Sequence, residues 1–295
     1  MEVRGLPSCA PEPPAGDAPL AALATRYRVD QEDLDGWTIA VNLTRSDCRL
    51  ADAGLRYYAE RLAARAVLQR AARLVGPLQA ATQTVREPQR EPWAGELDVE
   101  ATLDNVLGTP HPEPGDWIAQ RRVDRRHQVV LMVDTSLSMS GENMAIAAVA
   151  AAVLALKLHP EDLSVVVFED KATAVTHLDV PDAPHEVVRR MLDQPVRGYT
   201  NVEAALGLGA AELERGRNPR RSGLLITDGV VTAGGDPRPL AHRFPQLFVL
   251  LTEDYKMNPE LCRELADAGH GDVFPVRAFH DLPARLLDVA NRILR

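Results

Sequence analysis

From Gln128 to Arg295, short runs of valine, leucine and isoleucine alternate with helical segments, and no other feature constrains the fold as strongly. The strand candidates are Gln128–Asp134, Leu163–Glu169, Gly223–Asp228, Leu247–Thr252 and Asp272–Arg277, with a weaker edge candidate at Ala174–Asp179. Most lack the polar alternation of a half-exposed strand, so both of their faces must be covered. Helices are expected at Met144–Leu158, His185–Asp193, Val202–Arg215, Arg238–Arg243, Pro259–Ala268 and Leu282–Leu294. Met144–Leu158 is apolar almost all round, which places it deep against the sheet. Asn258-Pro259 is a helix start, with Asn as cap and Pro in the first turn. The pattern predicts an α/β fold: a doubly wound, mostly parallel six-stranded sheet with helices on both faces.

The N-terminal part reads differently. Residues 1–20 hold five prolines and too little apolar surface to offset ordering, so they are expected to form a disordered Pro/Ala-rich tail. Residues 21–115 are expected to be a smaller helical region and linker. Helices are predicted over Asp30–Leu43 and Asp47–Val75, the latter with Leu55, Tyr58 and Leu62 at helical spacing, and likewise Tyr57, Ala64, Leu68, Ala71 and Val75. Its arginines (Arg56, Arg61, Arg65, Arg70, Arg73) mark either a solvated face or a partner-binding surface. The polar, proline-broken stretch Gln79–Trp93 reads as a linker and Asp98–Leu107 as a short helix. The main boundary is placed near residue 115, with the α/β domain over 116–295.

Composition excludes several classes. Cys9, Cys48 and Cys262 are too few and too scattered for a disulfide framework or a cysteine-rich zinc site. They read as free, buried thiols in a reducing compartment. The first 20 residues show no uninterrupted apolar core of a secretory signal. The longest apolar run, Met144–Leu156, falls short of the roughly 20 residues of a membrane span. A soluble, cytoplasmic protein is expected. The net charge of −9 and 4% aromatic content argue against nucleic acid as the main partner. The basic cluster Arg121–Arg126 is read as a solvated hairpin before the first strand, with nucleic-acid contact as the minor alternative.

In an open parallel sheet, ligands gather beyond the carboxyl ends of the strands, where the strand order reverses. Three segments fall at such ends: Asp134-Thr135-Ser136-Leu137-Ser138, Tyr199-Thr200-Asn201 and Thr227-Asp228-Gly229. The two carboxylates and three hydroxyls of Asp134, Ser136, Ser138, Thr200 and Asp228 are all hard oxygen donors. That set suits Mg²⁺ (or Mn²⁺). The competing reading has Ser136 and Ser138 capping helix Met144–Leu158 while Asp134 satisfies backbone amides.

These residues resemble the von Willebrand factor A (VWA) domain and its metal-ion-dependent adhesion site (MIDAS). The family pattern is Asp-x-Ser-x-Ser, then a Thr in a second loop and an Asp in a third. Asp134, Ser136, Ser138, Thr200 and Asp228 match it in order, and the resemblance extends over about Arg126–Arg295. Leu137 and Tyr199 depart from positions where family members often carry Gly, which narrows the rim without changing a ligand. The resemblance implies a VWA/Rossmann-like fold in which both serines and Thr200 contact the metal directly or through water. The aspartates supply charge, often from behind the direct ligands, and a partner's carboxylate completes the coordination.

The flanks Trp93–Leu103 and Arg121–Arg126 look like those of bacterial CoxE-like, MoxR-associated proteins and of the chelatase D subunit. Both work beside a AAA+ ATPase. This chain has no Gly-x-x-x-x-Gly-Lys-Ser/Thr loop, so the ATPase must be a separate protein. It has no Gly-x-Ser-x-Gly elbow or His-Glu-x-x-His either, and is not expected to be an enzyme. The expected function is a divalent-metal-dependent adaptor that binds an acidic residue of a MoxR-type AAA+ ATPase or of its client. The alternative is a chelatase D-like accessory subunit of a metal-insertion complex.

Overall fold

The computed structural model describes residues 18–45, 48, 50–76, 82–89, 95–107, 109–124, 126–194, 196, 198–252 and 257–293, with side chains for all of these but 82, 83, 122–124 and 138. The chain forms helices α1 (Ala18–Tyr27), α2 (Gly36–Leu43) and α3 (Ala53–Val75), strands β1 (Thr82–Pro88) and β2 (Glu96–Leu97), helix α4 (Val99–Val106) and strand β3 (Ile118–Asp124). There follow β4 (Gln128–Asp134), α5 (Glu142–Lys157), β5 (Leu163–Phe168), β6 (Ala172–Thr176), α6 (Pro184–Leu192) and α7 (Val202–Arg215). The last elements are β7 (Arg221–Thr227), α8 (Arg238–Ala241), β8 (Leu247–Thr252), α9 (Pro259–Ala268), β9 (Val273–Val276) and α10 (Leu282–Ile293).

The predicted six-stranded sheet is present in the order β6-β5-β4-β7-β8-β9. All neighbours are parallel except the edge strand β6, which runs antiparallel to β5. The period of two sorts the central side chains onto two cores. Val129, Leu131 and Val133 of β4 join Leu224 and Ile226 of β7 on the face covered by α5, α6 and α10. Val130 and Met132 join Leu225 and Val249 on the face covered by α7 and α9. All seven residues of β4 are buried, as expected of a strand with neighbours on both sides and helices on both faces.

The domain organisation differs from the expectation. The described residues up to Gly76 form one compact unit with His127–Ile293, and those between Pro77 and Arg126 form a second. The boundary expected near residue 115 is replaced by divisions at 76/77 and 126/127, and the helices of region 21–115 belong with the α/β sheet. The reason lies in α5, where Met144 through Ala155 are all buried. The sheet covers only one side of that helix. Its other side packs on α2 and α3, whose buried positions are mostly alanines that allow close approach (Ala59, Ala63, Ala64 and Ala71).

Helix starts also moved, to where a carboxylate satisfies a first-turn amide. Asp35 accepts from Thr38 N at 2.7 Å and Asp52 from Leu55 N at 2.6 Å, so α2 and α3 begin later than Asp30 and Asp47. Of the expected tail, residues 1–17 lie outside the described residues, and Ala18 opens a helix instead.

The stretch expected to be a linker contains a strand. In the second unit β1 pairs antiparallel with β3 from Thr82↔Asp124 to Pro88↔Ile118, and β2 pairs with the other edge of β3. Asp98 caps α4 through Ala101 N (3.1 Å), binds Arg86 Nε (2.6 Å) and accepts from Gln120 Nε2 (3.0 Å), fastening the helix to both long strands. Arg121 sits on β3 with Glu87 at 3.6 Å, so the start of the basic cluster belongs to an exposed ribbon; Arg125 lies outside the described residues. Cys48 and Cys262 are in no disulfide; Cys262 is buried as expected, Cys48 only partly, and Cys9 lies outside the described residues. Among the described residues, no helix is long and apolar enough to cross a membrane.

Candidate metal centre

The strand order reverses at β4: the chain goes from β4 to β5 on one side, then returns to place β7 on the other. The crevice this leaves lies at the carboxyl ends of β4, β5 and β7. Asp134 ends β4 and is 4% exposed. The turn beyond it is held by Thr135, whose N–H and hydroxyl both donate to Phe168 O at 2.9 Å. Ser136 N donates to Asp134 Oδ1 at 2.8 Å, which turns the carboxylate back over its own loop.

A 3₁₀ turn, Leu137–Met139, carries Ser138; its side chain lies outside those described. The cap position of α5 is Gly141, at φ +78° and with no side-chain cap bond of its own.

Thr200 is anchored from two sides. Asn201 N donates to Glu169 O (2.7 Å) at the end of β5, and Asn201 Oδ1 caps α7 by accepting from Ala204 N (2.9 Å). Thr200 N donates to Thr232 Oγ1 at 2.8 Å, while Thr200 O accepts from Thr232 N at 3.0 Å. Sequence reasoning missed Thr232, which sits in an aperiodic loop with no motif to mark it.

Asp228 follows β7. Its Oδ1 accepts from Val230 N (2.8 Å), and its carbonyl accepts from Asn258 N (2.9 Å) at the cap of α9. Gly229 makes that approach possible: its φ is +78°, and a Cβ there would lie 2.6 Å from Asn258 O and 2.8 Å from Cys262 Sγ. Gly229→Ala is therefore expected to destabilise the fold by about 1–3 kcal/mol, checked by denaturant unfolding. A change within about 0.5 kcal/mol would show that the loop relaxes freely.

Four of the five predicted residues thus come together with their side chains described. Burial pushes the Asp134 carboxyl up to about 7. Hydrogen bonds from Ser136 and from the Thr200 hydroxyl work against that rise, and the charge of Asp228 adds to it. Burial also pushes the Cys262 thiol up to about 12, with Asp228 contributing. A divalent cation fits this set. It would offset both the desolvation of Asp134 and its repulsion with Asp228, and every convergent donor is an oxygen. Among the described residues no cluster of three or more His, Cys, Asp and Glu offers a softer alternative. The rim is apolar: Leu137 and Tyr199 are 60% and 58% exposed, and Leu137 lies against the backbone of Gly198.

A doubly wound sheet with one antiparallel edge strand and a carboxylate–hydroxyl crevice at its switch point defines a VWA-type α/β protein. The family comparison agrees: residues 59–248 match the VWA domain containing CoxE-like protein family, and this chain belongs to it. That span includes all five candidate metal residues and begins inside α3. A search of the curated proteins finds no match.

Among solved structures, similarity is found to a von Willebrand factor type A protein from Catenulispora acidiphila (16% identity, TM-score 0.48, 60% of this chain and 45% of that one). It is also found to proximal thread matrix protein 1 from the mussel byssus with a zinc-occupied MIDAS motif (18%, 0.48, 58% and 48%). A third is an aerotolerance-related membrane protein from Bacteroides fragilis (18%, 0.43, 57% and 98%). The chain spans less than half the length of the first two. At such identities the likeness is one of chain trace rather than of chemistry.

Proposed function

We propose that this chain is a divalent-metal-dependent protein-interaction adaptor, not an enzyme, and that it works with a separate MoxR-type AAA+ ATPase. The observation that carries the reading is the convergence of Asp134, Ser136, Thr200 and Asp228 at the switch point of the sheet. Membership of the CoxE-like VWA family supports a role in binding other proteins. Ser136, Ser138 and Thr200 would hold Mg²⁺ or Mn²⁺, with Asp134 and Asp228 supplying charge. Bound there among mostly neutral hydroxyls, the ion supplies an electrophilic centre that attracts a partner's carboxylate.

The remaining work falls to the protein. The tether from Thr135 to Phe168 and the Thr200–Thr232 pair hold the loops in register. Leu137 and Tyr199 present an apolar border against which the residues beside the incoming Glu or Asp would pack.

The test is co-purification from the native cell in Mg²⁺ and in EDTA, with partners identified by mass spectrometry. An AAA+ ATPase retained in Mg²⁺ and lost both in EDTA and with Asp228→Asn is the expected result. A partner retained equally under all three conditions would overturn the bridging-metal reading.

A further inference from the structure

Between α3, α5 and α6 lies an open cavity of about 890 Å³. It contains none of the metal-centre residues. Leu68 and Leu156, both half-buried, form its apolar floor, and Arg61 and Arg65 stand one helical turn apart on the α3 wall, both exposed. Neighbouring arginines are engaged within the fold. Arg56 pairs with Glu60 and Asp193, Arg70 lies 4.0 Å over the Trp37 ring, and Arg189 in the α6 wall binds Glu186 (2.9 Å) and Glu60 (3.2 Å). Arg61 and Arg65 have no acidic partner among the described residues; Arg61 only overhangs the Tyr57 ring at 6.0 Å.

Two like charges at i and i+4 repel one another. In a chain with net charge −9, acids to neutralise them are plentiful, yet among the described residues none pairs with either, and Glu186 in the same lining is taken by Arg189.

We infer that this groove docks an acidic amphipathic helix of a partner protein, with apolar residues on Leu68 and Leu156 and two carboxylates one turn apart on Arg61 and Arg65. Carboxylates at i and i+4 on a helix have the same spacing as the two guanidinium groups, and each arginine offers a planar fork to a carboxylate. An amphipathic helix in a groove is also a common mode of recognition. A compact polyanion fits less well. Glu186 shares the lining with His185 beside it (3.7 Å), and Arg189 is already neutralised by Glu186 and Glu60, so a concentrated charge would meet an acid and only two unpaired guanidinium groups.

The probe is a fluorescein-labelled helical peptide of about 18 residues, with leucines along one face and glutamates at i, i+4 beside them. Anisotropy is measured on the full chain in EDTA, which keeps the metal centre out of the result. Saturable binding is expected, weakened about tenfold or more by Arg61→Glu/Arg65→Glu and by raising salt from about 50 to 200 mM. The same peptide with lysine for glutamate should not bind. Arg61→Gln/Arg65→Gln, with its fold checked by thermal melting, keeps the test valid if the reversed pair misfolds. Equal binding of the two peptides, equal binding by wild type and either variant, no binding at all, or displacement by inorganic tripolyphosphate would each overturn the proposal. None of these outcomes bears on the metal centre.

Discussion

Asp134→Asn is expected to weaken Mg²⁺ or Mn²⁺ binding by about 10–100-fold, the range found when a group that orients metal ligands is lost. It is also expected to leave the metal-free protein as stable as wild type, or more so. Burial lifts the Asp134 carboxyl from its usual range to about 7. A folded-state pKa above the unfolded one means that the folded protein holds this proton more tightly. Stability from this group is therefore lost as pH rises from about 4 to about 7, and above that window the buried charge costs free energy. Asparagine removes the charge and the repulsion with Asp228, yet its carbonyl still accepts from Ser136 N.

Added metal reverses the order. A ligand at a hundred times its Kd stabilises wild type by about 2.7 kcal/mol, and a variant bound about 10–100-fold more weakly gains only about 0.4–1.4 kcal/mol at the same concentration. Titration calorimetry with thermal melts at about pH 8, with and without EDTA, reads both effects. The signature is an inversion of rank between the two melts. If Asp134 only bracketed its own loop, the variant would be the weaker protein in both conditions and would respond to metal as wild type does. That pattern would remove Asp134 from the metal centre.

The sheet and the placement of the candidate residues at its strand ends were legible because their signals are local. An uninterrupted run such as Val129–Val133 has few interpretations, and a carboxylate directly after it falls at a strand end whatever the order of the other strands. The order of the sheet then brings Asp134, Thr200 and Asp228 together. What stayed hidden depends on residues far apart in sequence or on side chains with weak signatures. Strand β1 reads Thr-Gln-Thr-Val-Arg-Glu-Pro, polar enough to pass for a linker, and becomes a strand only through β3, more than thirty residues on. In α3 the periodic Leu55, Tyr58 and Leu62 are only partly buried; of the other periodic set Ala64 and Ala71 do face the core, but so do Ala59 and Ala63, which belong to neither. Alanine favours helix in any setting, so its hydropathy scarcely marks a buried face. The pairing of Thr200 with Thr232 joins two loops and leaves no periodic trace at all.

Deleting Met1–Gly76 is expected to abolish cooperative folding of the rest of the chain, although every candidate metal residue and all six described strands of the main sheet would remain. The reason is α5, buried from Met144 through Ala155. A helix covered only by the sheet would turn one stripe inward and show water the other. Here the outward side is apolar too, and α2 and α3 are what it packs against. At roughly 0.8 kcal/mol per buried CH₂ equivalent, uncovering even a handful of alanine and valine side chains on two facing helices approaches the 5–15 kcal/mol by which a domain is stable. The exposed stripe would also invite self-association.

A finer version leaves the chain intact: Ala63→Leu, at a fully buried α3 position, should cost about 1–3 kcal/mol by forcing the helices apart. Thermal unfolding with light scattering reads both experiments. A truncated protein that is monomeric and melts cooperatively at the wild-type midpoint would mean that α1–α3 are an appendage. Failure of the truncation together with a lowered midpoint for Ala63→Leu would mean that the first 76 residues complete the core, and that the sheet with its flanking helices does not stand as a domain without them.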